Sequence, residues 1–469
     1  MNRKHLGRFP AGFLFGVATA DHQCEAFDPR FPDIFDDWEV EHRLQQRDRA
    51  SDFWNRYLED IDLAKALGCN AFRFSVAWAR VEPEAGHYDE ANIAHYRGLV
   101  DALRERGMEP IVTLLHNVWP RHVQAAGGLL ADDFPERFAT YARLIAERLG
   151  AGVTYYVSLN EPTQLPFGFI KPWWARSYPI PPGMPASATE SDQMDAVAKL
   201  IPNLFRAHTQ ARAAIQAVNP KAKLGTNPLL LGLPVWLQRL VDWHATRVTE
   251  ATLGEHSRHF VSRHIPFFST LARFVGIVTT LLNGNWWHLG MAGKLPAFLC
   301  PPECVGTQDY VGLDYYWGIP ALRVDLVERL MEAAQQKYSQ APVWPNVLFD
   351  LLRYYGEMFP NEAIIVIENG CVTSADGVRR DRYIREHVHQ VKRALNKGVN
   401  VMGYLVWSIT SNREWGLPFG LNSDFGLYHV DLDTDPALKR EPTPAADAYR
   451  QIIAERSATV KLPAGEPAT

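Results

Sequence analysis

Two glutamates that follow apolar, β-branched segments are the residues of this chain best suited to chemistry. Glu161 follows the segment Tyr155–Asn160, and Glu368 follows Ala363–Ile367. If both segments are parallel strands, both carboxyl groups lie at the C-terminal edge of one sheet. Such a pair can cleave a glycosidic bond when one group is protonated and the other ionised. Each glutamate alone could instead cap a helix, and the pair by itself fits inverting or retaining cleavage.

Further polar and aromatic residues lie in or just after the other predicted strands. They are Gln23, Glu25, Arg73, His116, Asn160, Asp314, Tyr315, Tyr316, Trp407, Glu414 and Trp415. Taken singly, His116 is also explained by a core hydrogen bond and Trp407 by packing. Their convergence on one edge of a sheet favours a sugar-binding site.

Short apolar segments alternate with helical ones along the chain. The predicted strands are Phe13–Ala20, Ala71–Val76, Pro110–His116, Tyr155–Asn160, Ala222–Thr226, Tyr310–Tyr315, Ala363–Ile367 and Val401–Ser408. The predicted helices include Ala91–Arg106, Pro135–Leu149, Leu200–Val218, Val347–Met358 and Arg382–Lys397. Eight β/α units predict an α/β fold, a single-domain (β/α)8 TIM barrel with long βα loops. An open doubly wound sheet is the alternative, but no G-x-G-x-x-G sequence follows a strand.

The composition fits one large globular enzyme. The chain has 469 residues, of which 47% are hydrophobic, and no linker or charge block divides it. We expect a single catalytic domain over residues 1–460 and a disordered tail over residues 461–469. The net charge of −5 shows no excess of basic residues, which argues against a nucleic-acid partner.

The cysteines and the N-terminal segment bear on location. Five cysteines form no disulfide-like framework, which favours a reducing compartment. Cys300 and Cys304 lack the second pair or the histidines of a zinc site. Phe13–Ala20 imitates a short signal peptide, but its apolar run is too short and we interpret it as the first strand. We therefore expect a cytoplasmic protein, and the oligomeric state stays open.

The segment Ile265–Leu299 is unusually apolar. A membrane span needs about 20 apolar residues, and Arg273 interrupts this segment near its middle. We therefore expect no transmembrane segment. An exposed apolar lip that contacts a hydrophobic aglycone or a membrane surface is one interpretation, and a buried loop and helix is the other.

The chain resembles glycoside hydrolase family 1, the retaining β-glycosidases, from Phe13 to about Tyr449. Each matching motif is short, but their order and spacing together are specific. The motifs are Phe13–Ala20 with Gln23 and Glu25, Trp54–Ile61, Phe72–Ser75, Trp78–Arg80, Asn160-Glu161-Pro162, Glu368-Asn369-Gly370, Trp407-Ser408 and Asn412–Trp415.

The resemblance implies a role for each matching residue. Glu161 would be the general acid/base and Glu368 the nucleophile, with Arg73 and Tyr316 beside Glu368 keeping it ionised and oriented. Asn160 would bind the sugar 2-hydroxyl. The remaining sugar contacts would come from Gln23, His116, Glu414 and Trp415, with Trp407 as the stacking floor. No metal or organic cofactor is implied, because a carboxylate pair suffices.

Several positions depart from the family pattern. Asn117 stands where Trp is usual, Asp314 where Asn is usual, and Ser411 and Arg413 replace a common Asp and an aromatic residue. The Lys-x-Tyr pattern of phospho-glycosidases is replaced by Ser423–Phe425. We therefore expect an unphosphorylated sugar, while the preference between glucosides and galactosides stays open.

Three functional hypotheses follow. The first is an exo-acting retaining β-glycosidase, most readily a β-glucosidase with β-galactosidase or β-fucosidase activity. The second is a transglycosylase that moves the sugar to a sugar or lipid hydroxyl. It draws on a partial similarity to the plant galactolipid galactosyltransferase branch of the family, in the segments Trp344–Leu352, Arg379-Arg380 and His116–Pro120. The third is an inactive carbohydrate- or lipid-binding barrel.

Overall fold

The computed structural model of this chain describes residues 9–170, 181–230, 232–253, 284–318, 323, 325–333, 335–372 and 379–455. The predicted tail, residues 461–469, and residues 265–283 of the apolar segment lie outside them. Among the described residues, no helix combines the length and apolar character that crossing a bilayer requires.

Eight parallel strands form the centre of the molecule. In chain order β1 to β8 they are Leu14–Ala18, Ala71–Ser75, Glu109–Leu115, Tyr155–Asn160, Lys223–Asn227, Val311–Asp314, Ile364–Glu368 and Val401–Trp407. Their spatial order is β5-β4-β3-β2-β1-β8-β7-β6. All eight predicted strands are therefore confirmed, with ends that differ from the prediction by at most two residues.

The sheet closes between β5 and β6. The Asp309 N–H donates to Leu224 O at 2.8 Å, and the Asp314 N–H donates to Pro228 O at 3.1 Å. Gly312 permits this approach, because a Cβ atom at this position would lie 2.1 Å from Thr226 O. The fold is thus the predicted (β/α)8 TIM barrel.

Helices surround the barrel and fill its βα loops. In chain order α1 to α14 they are Asp21–Cys24, Ile34–Glu41, Phe53–Leu67, Trp78–Val81, Glu90–Glu105, Arg121–Ala125, Phe134–Leu149, Glu190–Val218, Val235–Leu253, Trp286–Met291, Asp325–Ala333, Pro345–Met358, Arg380–Asn396 and Pro444–Ala454. A short antiparallel pair, β9 (Tyr428–His429) and β10 (Glu441–Pro442), lies outside the barrel.

The predicted helices are present, but α8 begins ten residues before the predicted Leu200. Thr189 caps it, since its hydroxyl accepts from the Asp192 N–H and the Asp192 carboxylate accepts from the Thr189 N–H. Pro202 lies inside this helix, and a proline is more typical of a first turn. The prediction therefore placed the start of the helix too late.

The barrel interior is apolar at its base and polar at its C-terminal end. Leu14, Ala71, Ile111, Val157 and Leu405 belong to one buried cluster contributed by five different strands. Side chains along a strand alternate between its two faces. Register shifts before Asn160 on β4 and before Asp314 on β6 change this alternation at the strand ends.

Candidate active site

The two predicted glutamates meet at the C-terminal end of the barrel. Glu368 is the last residue of β7, and Glu161 directly follows β4. One oxygen of Glu161, one of Glu368 and one of Asp314 lie within 4.8 Å of one another. The fold therefore brings together two carboxyl groups that are separated by about 200 positions in the sequence, and it adds a third.

Two donors contact the two oxygens of Glu368. The Arg73 guanidinium donates to Oε1, and the Tyr316 hydroxyl donates to Oε2 at 2.6 Å. Arg73 is fully buried and is held in turn by Thr113, whose Oγ1 accepts from Nε at 2.8 Å. A cation and a hydroxyl donor both stabilise an ionised carboxylate, so Glu368 is suited to carry the negative charge of a nucleophile.

Glu161 lies in a different electrostatic environment. Burial raises the pKa of its carboxyl group well above the usual range, the nearby Glu368 raises it further, and Arg73 opposes both effects. Its backbone φ of +40° is unusual for a residue with a side chain, and its N–H donates to Asn227 O at 3.2 Å. Glu161 is therefore suited to hold a proton at neutral pH.

Asn160 connects these groups. Its Oδ1 accepts from Arg73 Nη2 at 2.7 Å and from Asn227 Nδ2 at 2.7 Å. Because both bonds use the carbonyl oxygen, the Asn160 amide nitrogen is the group left to serve the pocket, which this residue lines. A donor at this position suits a sugar hydroxyl next to the reacting carbon.

Glu414 lies on the other wall of the pocket. Its Oε1 accepts from Gln23 Nε2 at 3.1 Å, Trp407 Nε1 at 3.2 Å and Asn412 Nδ2 at 2.6 Å. Burial raises the pKa of Glu414 to about 8, against the effect of the hydrogen bonds from Asn412 and Trp407. The second carboxyl oxygen is then available to a ligand.

His116 lies between two indole rings. Its ring stacks with Trp407 at a centroid distance of 5.8 Å and with Trp415 at 5.9 Å. Burial, together with the charges of Arg73 and His22, lowers the pKa of His116 well below its usual value. The imidazole is therefore neutral and offers one donor and one acceptor to polar neighbours.

These side chains line a cleft of about 980 Å³, measured out to its open mouth. Nine of the ten predicted site residues line it, and Arg73 lies behind them. The nine are Gln23, His116, Asn160, Glu161, Tyr316, Glu368, Trp407, Glu414 and Trp415. Glu25, Asp314 and Tyr315, which the sequence analysis also considered, do not line it. The Glu25 carboxylate accepts from Arg80 at 2.8 Å and from Tyr96 at 2.9 Å, and the Tyr315 hydroxyl donates to Trp344 O at 2.6 Å.

Sequence reasoning missed the outer wall of the cleft and the amide of Asn227. The outer wall is mainly apolar and aromatic and comprises Phe35, Leu165, Leu229, Trp317, Tyr338 and Phe425. These residues lie outside the strands, on α2, in short 3₁₀ turns or in loops, and none of them is the last residue of a strand. Asn227 does end β5, and extending the predicted strand by one residue would have identified it.

Two groups of side chains among the described residues have metal-ligand chemistry. One is Glu161, Asp314 and Glu368, and the other is His22, Asp36 and Glu39. An arginine already contacts each group, since Arg73 bonds Glu368 and Arg47 bonds Asp36 at 2.7 Å. Their negative charge is thus partly balanced by guanidinium groups.

A barrel of this topology with paired carboxyl groups at its C-terminal end is an architecture of glycoside hydrolases. The sequence profile of glycosyl hydrolase family 1 matches residues 5–232 and 306–458. The chain belongs to this family and is a glycoside hydrolase.

Characterised proteins resemble the chain over nearly its whole length. A cytosolic β-glucosidase of Homo sapiens is 27% identical to this chain, and the alignment covers 95% of this chain and 98% of the human protein. A bifunctional β-D-glucosidase/β-D-fucosidase of Bifidobacterium breve is 29% identical, and the alignment covers 96% of this chain and 99% of the bifidobacterial protein. Among solved structures, a β-glucosidase of Thermotoga maritima in complex with castanospermine has a TM-score of 0.71 at 25% identity, covering 96% and 99%.

Proposed function

We propose that the protein is an exo-acting, retaining β-glycosidase, with β-glucosides as its best substrates and β-fucosides and β-galactosides as further ones. The observation that carries the proposal is the close pair of unlike carboxyl groups. Oxygens of Glu161 and Glu368 lie within 4.8 Å of each other. Carboxyl groups about 5 Å apart suit retention, whereas inversion needs roughly 6.5–9.5 Å to admit a water molecule. The names of the human and bifidobacterial relatives support glucosides and fucosides among these sugars.

The environments of the two glutamates support different roles for them. Protonated Glu161 donates its proton to the glycosidic oxygen while ionised Glu368 attacks the anomeric carbon, and a glycosyl–Glu368 ester forms as the aglycone leaves. Glu161, now ionised, takes a proton from water, and the water oxygen displaces Glu368 from the anomeric carbon. Two inversions restore the original configuration.

The remaining site residues would bind the terminal sugar. Gln23 and Glu414 face the pocket as a hydrogen-bonded pair, which can bind two neighbouring hydroxyl groups. Trp407 would stack on the apolar face of the ring, and His116 and Trp415 would complete this wall. The Asn160 amide nitrogen would donate to the 2-hydroxyl, where hydrogen bonds strengthen in the transition state.

We propose a hydrophobic aglycone, because the outer wall is apolar. Trp317 and Tyr338 stack at a centroid distance of 5.8 Å and, with Phe425, form one side of the cleft mouth. Membrane contact through residues 265–299 remains a hypothesis for the undescribed part of this segment. In the described part, Trp286, Trp287 and Leu289 are buried.

The apolar mouth also favours the second hypothesis, transfer to a sugar or lipid hydroxyl. Hydrolysis and transfer differ only in which nucleophile attacks the glycosyl–Glu368 ester. Product analysis with an alkyl alcohol or a lipid glycoside as acceptor separates them. Free sugar as the sole product would exclude transfer.

We also propose that residues 1–460 form one catalytic domain and that the protein is cytoplasmic. The five cysteines are free thiols, the state that a reducing compartment maintains, and the human relative is cytosolic by name. Fractionation of the native host would test the location.

The functional proposal is tested with a panel of aryl β-glycosides carrying gluco, galacto, fuco, manno and xylo sugars. We expect the β-glucoside to be cleaved best and the first sugar released to be the β anomer, observed by proton NMR before mutarotation. Release of the α anomer would refute retention. Cleavage of none of the panel would refute the function.

A further inference from the structure

Asp314 places a third carboxyl group beside the two catalytic glutamates. It is the last residue of β6, it is fully buried, and one of its oxygens lies within 4.8 Å of oxygens of Glu161 and Glu368. Asparagine is usual at this position in the family that the chain resembles. The chain therefore has an ionisable group where a permanently neutral one is common.

The Asp314 carboxyl group orients two amides. Its Oδ2 accepts from Asn227 Nδ2 at 2.5 Å, and the same nitrogen donates to Asn160 Oδ1 at 2.7 Å. An amide nitrogen has two hydrogens, and both are used here. Asp314 therefore fixes the orientation of Asn227 and, through it, the orientation of Asn160.

The second oxygen of Asp314 faces groups that favour its protonated form. Oδ1 is buried and has no hydrogen-bond partner among the described residues. Around the side chain, Glu161 follows β4, Glu368 ends β7, Arg73 lies on β2 and Asn227 ends β5. Burial raises the pKa of Asp314 well above its usual value, Glu368 and Glu161 raise it further, and Arg73 lowers it.

The charge balance leads to the same result. Arg73 is the one guanidinium that contacts this group of carboxyls in the described structure, and it already bonds Glu368 and Asn160. Three ionised carboxylates would leave two uncompensated negative charges in a buried site, which is costly. The site therefore favours protonation of Glu161 and Asp314 over three ionised carboxylates.

We propose that Asp314 is a positioning residue that preserves the proton on Glu161 in alkaline solution. The inference rests on the proposed function. When Asp314 loses its proton to solvent, its new charge makes the proton on Glu161 harder to remove. An asparagine supplies no such charge. At the effective dielectric constant of protein sites, a unit charge about 5 Å away shifts a titration by roughly two pH units.

The test compares the pH dependence of kcat/KM for wild type and Asp314→Asn, with an aryl β-glucoside whose leaving group is poor. We expect the alkaline limb of the variant to lie about two pH units lower. Asp350→Asn is the matched control, because Asp350 lies on α12 and does not line the cleft; its profile should follow wild type. An unshifted alkaline limb in Asp314→Asn overturns the inference.

A second measurement requires neither a variant nor activity. In wild type with carbon-13 in its aspartate and glutamate carboxyl groups, NMR should show a buried aspartate, other than Asp21 and Asp36, that titrates above the usual range of aspartate and before the last glutamate does. Burial and neighbouring carboxylates raise the pKa values of Asp21 and Asp36 to about 7 and about 6. If no such aspartate is found, or if it titrates only after every glutamate, the inference is overturned, even if Asp314→Asn does not fold.

The two proposals fail differently. If the wild type cleaves no β-glycoside, the proposed function is wrong and this inference falls with it. If the wild type is active and the two alkaline limbs coincide, the function stands and only the role of Asp314 is wrong.

Discussion

Replacement of Tyr316 by phenylalanine tests the orientation of the nucleophile with the loss of a single oxygen atom. The hydroxyl donates to Glu368 Oε2 at 2.6 Å inside a buried site. The ring packs against Trp317 and Phe425 at centroid distances of 5.8 and 5.9 Å. Phenylalanine preserves these contacts, so the fold should be retained.

The expected magnitude follows from this one bond. A hydrogen bond to a charged group contributes about 1.5–3 kcal/mol, and each 1.36 kcal/mol is about tenfold in rate. We expect Tyr316→Phe to lower kcat/KM for aryl β-glucosides by about 10- to 150-fold. Because Tyr316 contacts Glu368, the proposed nucleophile of the first step whatever the aglycone, good and poor leaving groups should lose similar factors.

The assay is initial-rate hydrolysis over a series of aryl β-glucosides, with thermal unfolding as a check on stability. Tyr155→Phe is the control, because Tyr155 begins β4 at the opposite end of the barrel from Glu161. A loss below about threefold in Tyr316→Phe would refute the reasoning, as would an equal loss in the control.

Two further predictions concern Glu161 as the general acid and His22 as a source of stability. Glu161→Ala should slow substrates with poor leaving groups by about 10²- to 10⁴-fold but good leaving groups far less, and equal losses would contradict its role. Although burial opposes its charged form, contact with Asp33 raises the pKa of His22 to about 10. The stabilisation of the folded state by protonated His22 should be complete below about pH 6.5 and lost as the pH rises through about 10. Urea unfolding of wild type and His22→Gln should therefore differ most in acid, and a pH-independent difference would contradict this.

The fold and the core of the site follow from short-range patterns. Eight apolar segments alternate with helices, and parallel strands in a barrel present their C-terminal ends together. A side chain at such an end is therefore a candidate site residue by position alone. Glu161, Glu368, His116 and Trp407 were predicted in this way, and all four line the cleft.

What the sequence did not predict depends on contacts between distant segments. Glu25 also follows a strand, but the Arg80 guanidinium and the Tyr96 hydroxyl hold its carboxylate away from the cleft. Asn227 lies just beyond a predicted strand, and its role appears only when β5 and β6 close the barrel. The local pattern of residues can predict that both side chains lie near strand ends, but it cannot predict these contacts.

The apolar outer wall was missed for a related reason. Phe35 lies on α2, Tyr338 in a short turn of 3₁₀-helix, and Phe425 in the loop after β8. Loops of this length have no periodicity that predicts where a side chain points. The sequence therefore predicted the sugar-binding end of the cleft better than its aglycone end.

The most direct test of the central claim is chemical rescue of Glu368→Gly. The variant should not hydrolyse an activated aryl β-glucoside, because no nucleophile reaches the anomeric carbon. Azide fits the space left by the carboxylate and should restore turnover, with an α-glucosyl azide formed by one inversion. A β-glucosyl azide, or no rescue in a folded variant, would contradict the assignment of Glu368 as the nucleophile.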